Sequence, residues 1–355
     1  MIFGKKSHLI GLDIGSRTVK IAEIVNKKTS HIFKRFHTIN IEPGIIEEGT
    51  IKDPETLSAS IRELYKEAKL EEKNVAISIG GYSVIVKKIN VQNMTDDELQ
   101  ETIHFEAEQY IPFDISDVNL DYQIIGECKH NPNQMSVLLV AAKKEMVNEY
   151  INLIQMTGLN VCIIDVDAFA LQNIYEFNYD PGDENVALID IGASKTSLNI
   201  LKDNSSVFMR DVSLGCGQIN EKIASLVECS LAEAEEIKQG GQSDIISPED
   251  LSKIVSSVVN DWCTEIKRAL DFFYSTFPED QITKIILSGG GANIKEFRQL
   301  LAVETSDVST TEVEIINPFQ NFSIDSNRFD SSYLEQIAPQ AAICMGLAIR
   351  KIGDK

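Results

Sequence analysis

Two stretches half a chain apart, Ile10-Gly-Leu-Asp-Ile-Gly-Ser-Arg-Thr18 and Ala187-Leu-Ile-Asp-Ile-Gly-Ala-Ser-Lys-Thr196, share one local grammar. In each, a short apolar run reads as a buried strand, an aspartate closes it and a glycine turn follows. What comes after the glycine decides the fold. Val19-Lys-Ile-Ala-Glu-Ile-Val25 and Ser197-Leu-Asn-Ile-Leu201 are β-branched or alternately apolar, so both read as second strands. A dinucleotide-binding turn or a P-loop needs a helix there, and neither glycine pattern is present. The repeated unit is therefore a hairpin. One copy per half predicts a duplicated domain whose halves face each other, with Asp13 and Asp190 at matching strand ends across a cleft.

A third glycine cluster, Lys284-Ile-Ile-Leu-Ser-Gly-Gly-Gly-Ala292, precedes a helical stretch from Asn293 to Leu301. Strand, glycines and helix start together let a ligand approach backbone and meet the positive end of a helix. The two hairpins add what a triphosphate needs. Their turns present backbone N–H donors, Ser16 and Thr18 offer hydroxyls, and Lys20 or Lys195 adds positive charge. Two carboxylates, Asp13 and Asp190, suit Mg²⁺ held through its waters.

At 355 residues the chain exceeds one ordinary core. Its 54 acidic against 33 basic residues leave a net charge of −21, which repels nucleic-acid backbones and anionic lipid headgroups. The pairs Lys27-Lys28, Lys87-Lys88 and Lys143-Lys144 are isolated, so no nucleic-acid partner is expected. The six cysteines, Cys128, Cys162, Cys216, Cys229, Cys263 and Cys344, form no CxxC and suit a reducing compartment. Lys5 and Lys6 lead into no apolar signal-peptide core, and no apolar run is long enough to cross a bilayer. A soluble, cytoplasmic chain without membrane insertion is the expectation. His8, His31, His37, His104 and His130 have no metal-ligand spacing, and Trp262 reads as core.

Between the hairpins the sequence predicts a capped helix from Asp53 to Ala68 and a strand at 74–79. It then predicts a helix from Thr95 to Tyr110 stopped before Pro112, strands near 120–125 and 135–142, a helix over 144–157 and a strand at 161–164. These make a small α+β unit over 90–164. A polar turn at 180–185 leads into the second half. Helices are expected at 217–227, 231–239 and 251–277, then a polar irregular segment at 306–330 and a last helix over 334–352.

Asp13-x-Gly15-Ser16-x-x-x-Lys20 resembles the first phosphate loop of the superfamily of actin, the heat-shock chaperones and the sugar kinases. Asp190-x-Gly192-Ala193 resembles its second, and Leu287-Ser-Gly-Gly-Gly-Ala292 its adenosine loop. Ile164-Asp-Val-Asp-Ala-Phe-Ala-Leu171 looks like the first connecting helix, Glu233-Ala-Glu-Glu-Ile-Lys238 like the helix that touches adenine and ribose, and Pro339-Gln-Ala-Ala-Ile-Cys-Met-Gly-Leu-Ala348 like the second connecting helix. Within that superfamily, Glu106-Ala-Glu-Gln-Tyr-Ile-Pro-Phe113, Val118-Asn-Leu-Asp-Tyr122, Asp165-Val-Asp-Ala-Phe-Ala170 and Arg210-Asp211 before Gly215-Cys-Gly217 resemble the PilM family of type IV pilus assembly.

The resemblance implies an actin-like (ribonuclease H-like) two-lobed α/β fold with duplicated mixed sheets and an inserted FtsA-type α+β subdomain. The first lobe would hold 1–89, 165–186 and 334–355, the insert 90–164, and the second lobe 187–333, with its outer subdomain at 218–282. It implies ATP or ADP with Mg²⁺, bound by Asp13, Gly15, Ser16, Arg17, Thr18 and Lys20 on one side. Asp190, Gly192, Ala193, Ser194, Lys195, Thr196 and Gly215 would bind on the other, with Glu235, Lys238, Gly289, Gly290, Gly291 and Asn293 at the nucleoside. Asp167 stands where relatives carry a water-orienting Glu or Gln; being one methylene shorter, it implies slow ATPase activity at most.

Tyr110, Ile111, Pro112 and Phe113, otherwise ordinary helix-stop packing, would flank a groove for the cytoplasmic N-terminal tail of PilN, an inner-membrane protein. The implied role is a nucleotide-dependent scaffold at the inner face of the inner membrane, open to other platform proteins and to homo-oligomers. Two alternatives stand beside it. An FtsA-like filament-forming protein asks for a C-terminal amphipathic membrane helix, which Gly346-Leu-Ala-Ile-Arg-Lys-Ile352 is too short to make. A small-molecule kinase asks for a general-base aspartate beside an acceptor pocket.

Overall fold

The computed structural model describes residues 8–27, 30–128, 131–180, 182, 184–241, 245–306 and 311–354. Lys5, Lys6, Lys28 and His130, with parts of the 180–185 and 306–330 segments, lie outside these residues.

The first hairpin is β1 (Ile10–Ile14) and β2 (Thr18–Asn26), extended antiparallel by β3 (His31–Asn40). A short ladder, β4 (Ile46–Glu47) with β5 (Thr50–Ile51), leads to α1 (Pro54–Glu67). The Asp53 side chain caps α1 by accepting the Thr56 N–H, and Pro54 fills the first turn, where no N–H is missed. Strand β6 (Asn74–Ile79) then runs parallel to β1.

The chain next builds β7 (Val84–Gln92), α2 (Asp96–Ala107), β8 (Val118–Glu127) and β9 (Gln134–Lys143). These strands form a separate antiparallel sheet in the order β7-β9-β8. Thr95 and Glu98 close a reciprocal capping box at the start of α2, whose Leu99, Ile103 and Ala107 pack with Val137, Leu139 and Ala141 of β9. Helix α3 (Lys144–Thr157) and strand β10 (Asn160–Val166) fall inside the expected 90–164 unit, yet they pack elsewhere. Met146, Leu153 and Ile154 join the core of α1 and β1, and β10 pairs parallel with β6.

After α4 (Asp167–Asn178) the pattern repeats: β11 (Asn185–Ile191), β12 (Thr196–Lys202) and β13 (Ser205–Val212) form a second antiparallel meander. Helices α5 (Gly217–Val227), α6 (Leu231–Lys238) and α7 (Pro248–Thr276) follow, then β14 (Ile282–Ser288), α8 (Lys295–Ser306), β15 (Glu312–Ile315), β16 (Phe322–Ser323) and α9 (Ser331–Ala348). The large sheets run β10-β6-β1-β2-β3-β16 and β15-β14-β11-β12-β13. Without β16 the two orders coincide, each an antiparallel meander flanked by two parallel strands. The expected duplication is therefore one of topology.

The segment expected to be irregular contains β15 and β16 and buries Ile316, Phe319 and Phe322. Its Glu-Val-Glu-Ile strand lies at a sheet edge, where only one side chain needs full burial, and that hides it in the sequence.

Beside the core of the three-stranded unit, three larger cores hold the two big sheets and their helices. One lies under the second sheet, where Trp262 of α7 is 1% exposed and its indole N–H donates to Gln218 Oε1 at 3.1 Å. Another joins the first sheet to α1 and α3. The third lies between the sheets: Leu171 and Ile174 of α4 and Ala341, Ala342 and Met345 of α9 pack with Ala22 and Ile24 of one sheet and Leu188 and Ile286 of the other. The two helices touch backbone to backbone, since a Cβ on Gly346 would stand 1.8 Å from the Ala170 carbonyl oxygen. Gly11 admits α9 onto β1 in the same way, its absent Cβ falling 2.1 Å from the Cys344 carbonyl.

Candidate functional site

The two hairpin turns meet where the lobes face each other. Each is closed by the same backbone hydrogen bond, Gly15 N–H to Thr18 O at 3.0 Å and Gly192 N–H to Lys195 O at 2.9 Å. The Ser16 hydroxyl donates to Ser194 Oγ across the gap at 3.0 Å. Asp13 sits on β1 opposite Lys20 of β2, and that register brings Lys20 Nζ to 2.9 Å from Asp13 Oδ2. Burial disfavours the Lys20 ammonium, but the Asp13 carboxylate outweighs it and holds the amine above its ordinary value.

The second hairpin reaches into the first lobe. Lys195 Nζ donates to Asp167 Oδ2 at 2.7 Å, at the start of α4, and stands 3.8 Å from Asp211 Oδ2 at the end of β13. Burial again works against the ammonium, and the two carboxylates more than offset it. Burial likewise opposes the Asp167 carboxylate, yet Lys195 draws its pKa below the ordinary range. Gly80, after β6, leaves the room for this pair: a Cβ there would lie 2.2 Å from Lys195 Nζ and 2.5 Å from Asp167 Oδ2.

Asp190 differs. Burial pushes its carboxyl up to about 6, against the pull of the Ser288 hydroxyl and with the charges of Asp13 and Asp167 adding to the rise. A buried carboxyl held back from ionising beside two others is a place where a cation is favoured.

The glycine cluster packs against the second hairpin. Gly289 takes φ +81° and would collide with the Ile191 carbonyl at 2.3 Å if it bore a Cβ; Gly291 lies against the Ile191 side chain. Gly290 between them has no such neighbour closer than 3.7 Å, so its backbone is left approachable. Gly215 abuts Ala193, and the N–H groups of Cys216 and Gly217 donate to Gly192 O and Ala193 O at 3.0 and 2.8 Å, fixing the start of α5 on the hairpin. Glu235 of α6 accepts from Asn220 at 2.6 Å, Lys238 at 2.7 Å and Gln239 at 2.8 Å. Burial opposes its charge, but these donors hold it below the usual carboxylate range.

The fold thus gathers Asp13, Gly15, Ser16, Lys20, Asp167, Asp190, Gly192, Ala193, Ser194 and Lys195 at one junction, with Gly215 and the glycine cluster against it. Arg17 and Thr18 are half-buried in the first turn. Thr196 is 2% exposed and donates to Leu214 O, and Asn293 donates to Gln336 O, so both of these polar groups are engaged within the fold. Tyr110 to Phe113 lie in the three-stranded unit. Ile111 is in its core, Phe113 lies 4.4 Å beneath the Lys143 ammonium, and Pro112 is exposed. Gly80 and Gly81, a glycine pair directly after the strand at 74–79, are a sequence signal for the close approach at this junction. Asp211 stands in the Arg210-Asp211 stretch that carries the family resemblance, but its contact with Gly81 had no signal, nor had Asn220 with Glu235, because the partners come from other segments.

A family model described as type IV pilus assembly protein PilM matches residues 11–352. Among solved structures, a PilM–PilN type IV pilus biogenesis complex contains a chain similar to this one at 27% identity and a TM-score of 0.85, covering 98% of this chain and 100% of that one. Ethanolamine utilization protein EutJ from Carboxydothermus hydrogenoformans is similar in fold (13% identity, TM-score 0.59, 96% and 89% coverage). So is MreB 5 of Spiroplasma citri bound to AMPPNP (13% identity, TM-score 0.50, 96% and 95% coverage).

Proposed function

This chain belongs to the type IV pilus assembly protein PilM family, and from that premise we propose that it is a nucleotide-dependent scaffold of a pilus inner-membrane platform. The observation that carries the proposal is the junction of the two hairpins, where four carboxylates (Asp13, Asp167, Asp190 and Asp211) and two ammonium groups from both lobes are packed together.

The residues present fit ATP or ADP with Mg²⁺. Among the described residues no three acidic, His or Cys side chains converge to hold a metal directly. Asp13 and Asp190 are two carboxylates, which with phosphate oxygens and water suffice for Mg²⁺. When bound, the nucleotide supplies a polyanion whose charge the divalent cation partly neutralises. Lys20 and Lys195 then have phosphate oxygens as alternatives to Asp13 and Asp167, and the turn amides of both hairpins gain an acceptor. Gly290, with Glu235 and Lys238 on the neighbouring helix, would flank the nucleoside. Because these groups come from both lobes, a ligand that touches both favours the closed arrangement and shifts its population. Asp167 is already engaged by Lys195, which accords with hydrolysis that is slow at most.

The solved relative's complex with PilN supports a PilN-like partner for this chain. We place the cytoplasmic N-terminal tail of that partner beside the three-stranded unit, at Tyr110, Ile111, Pro112 and Phe113. Recruitment to the inner face of the inner membrane would follow through this partner. Among the described residues no helix is long and apolar enough to cross a membrane.

The test is titration with a fluorescent ATP analogue plus Mg²⁺, and separately with the partner's N-terminal peptide. Wild type should bind both, and Asp190→Ala should weaken the nucleotide at least about tenfold while leaving the peptide site occupied at high peptide concentration. Failure of wild type to bind the nucleotide would remove the nucleotide-dependent reading.

A further inference from the structure

Asp211 lies outside the residues assigned to nucleotide, metal or partner, yet it joins the second hairpin to the turn that leads into the three-stranded unit. It is the next-to-last residue of β13 in the second lobe. Its Oδ2 accepts the Gly81 N–H at 2.7 Å across the lobe junction, and the same oxygen lies 3.8 Å from Lys195 Nζ. Gly81 belongs to the turn between β6 of the first lobe and β7, the strand that roots the three-stranded unit. Gly81 has φ +82°, so the turn that aims its N–H is one few other residues adopt. One residue earlier, Gly80 is packed against the Lys195–Asp167 pair. Two residues after Asp211, the Ser213 hydroxyl donates to the Tyr82 hydroxyl at 3.3 Å. The phosphate-loop lysine and the root of the inserted unit therefore share one carboxylate oxygen.

We propose that Asp211 is a positioning residue that relays occupancy of the second hairpin to the three-stranded unit. The relay rests on the nucleotide reading above and adds its direction. With Lys195 between Asp167 and Asp211, the Asp211 carboxylate is partly neutralised and stays on Gly81. Phosphate oxygens arriving at the hairpin compete for Lys195 and place an anion beside Asp211. With Lys195 no longer between them, phosphate and carboxylate repel each other, and that repulsion carries the Asp211 oxygen off the Gly81 N–H. The 80–83 turn is then released and β7 is free to reorient against the second lobe. A partner's tail seated beside that unit would sense the change as altered affinity, and by linkage would alter nucleotide affinity in return.

The experiment is amide hydrogen exchange of the full chain with and without AMPPNP and Mg²⁺, read at 80–86, on wild type and Asp211→Asn. Asparagine keeps an acceptor oxygen for Gly81 but removes the charge that senses Lys195 and phosphate. Nucleotide should speed wild-type exchange at Gly81 about tenfold, the effect of losing one charge-assisted hydrogen bond. Asp211→Asn should bind AMPPNP but show less than a twofold change at those amides. Nucleotide binding to wild type with no change at 80–86 overturns the relay alone. An equal response in the variant also overturns it. No binding to wild type overturns both the relay and the reading beneath it. The wild-type comparison stands without the variant, so poor folding of Asp211→Asn would not shelter the proposal.

Discussion

Asp190 shows how a single residue can be costly to the fold and useful to the site. In the folded protein it keeps its proton up to about pH 6, whereas in an unfolded chain it loses it near pH 4. Between those values the folded state binds more protons, so the contribution of Asp190 to stability declines as pH rises from about 4 to about 6. Above pH 6 the buried charge is a fixed penalty. Asp190→Asn should therefore stabilise the apo protein by roughly 3 kcal/mol at pH 7.5 and by little at pH 4. Urea denaturation at the two pH values checks this, and equal effects at both would mean that Asp190 is not held protonated by its surroundings. The strand-end position of Asp190 was legible from sequence because an apolar run, an acid and a glycine occur twice. The Lys195–Asp167 pair was not, because it is created by lobe packing between segments with no shared periodicity.

Among elements, the hairpins and the long helix were readable for the same reason: their residues announce a period. Strands β3, β7 and β13 have no clear alternation in the sequence, and two of them cross register shifts, at Glu23/Ile24 in the β2–β3 pair and Ile200/Leu201 in the β12–β13 pair. A bulge moves later side chains to the opposite face, so alternation breaks within the strand. The crossing of α4 and α9 is set by contact too close for any side chain. Gly346→Ala places a methyl 1.8 Å from the Ala170 carbonyl and must lift one helix off the other. The expected loss is at least about 1–3 kcal/mol, read as a lowered urea midpoint. An unchanged midpoint would show that the crossing is looser than the structure has it.

For the whole molecule, the central core matters most, because α4 and α9 bind apolar residues of both large sheets. Lobes that share a core are expected to lose it together, so heat or urea should give one transition for the entire chain. The buried Trp262 makes that expectation unusually easy to examine. It is the only tryptophan in the sequence, and it is enclosed under the second sheet. Far-ultraviolet dichroism averages over every helix and strand, whereas indole emission comes from one lobe alone. Coincident curves from the two signals would establish common unfolding, and an emission change that runs ahead of or behind dichroism would show that the halves part company. The chain thus carries its own lopsided lamp: any ligand that dims or shifts it has been felt in the second lobe, wherever it first landed.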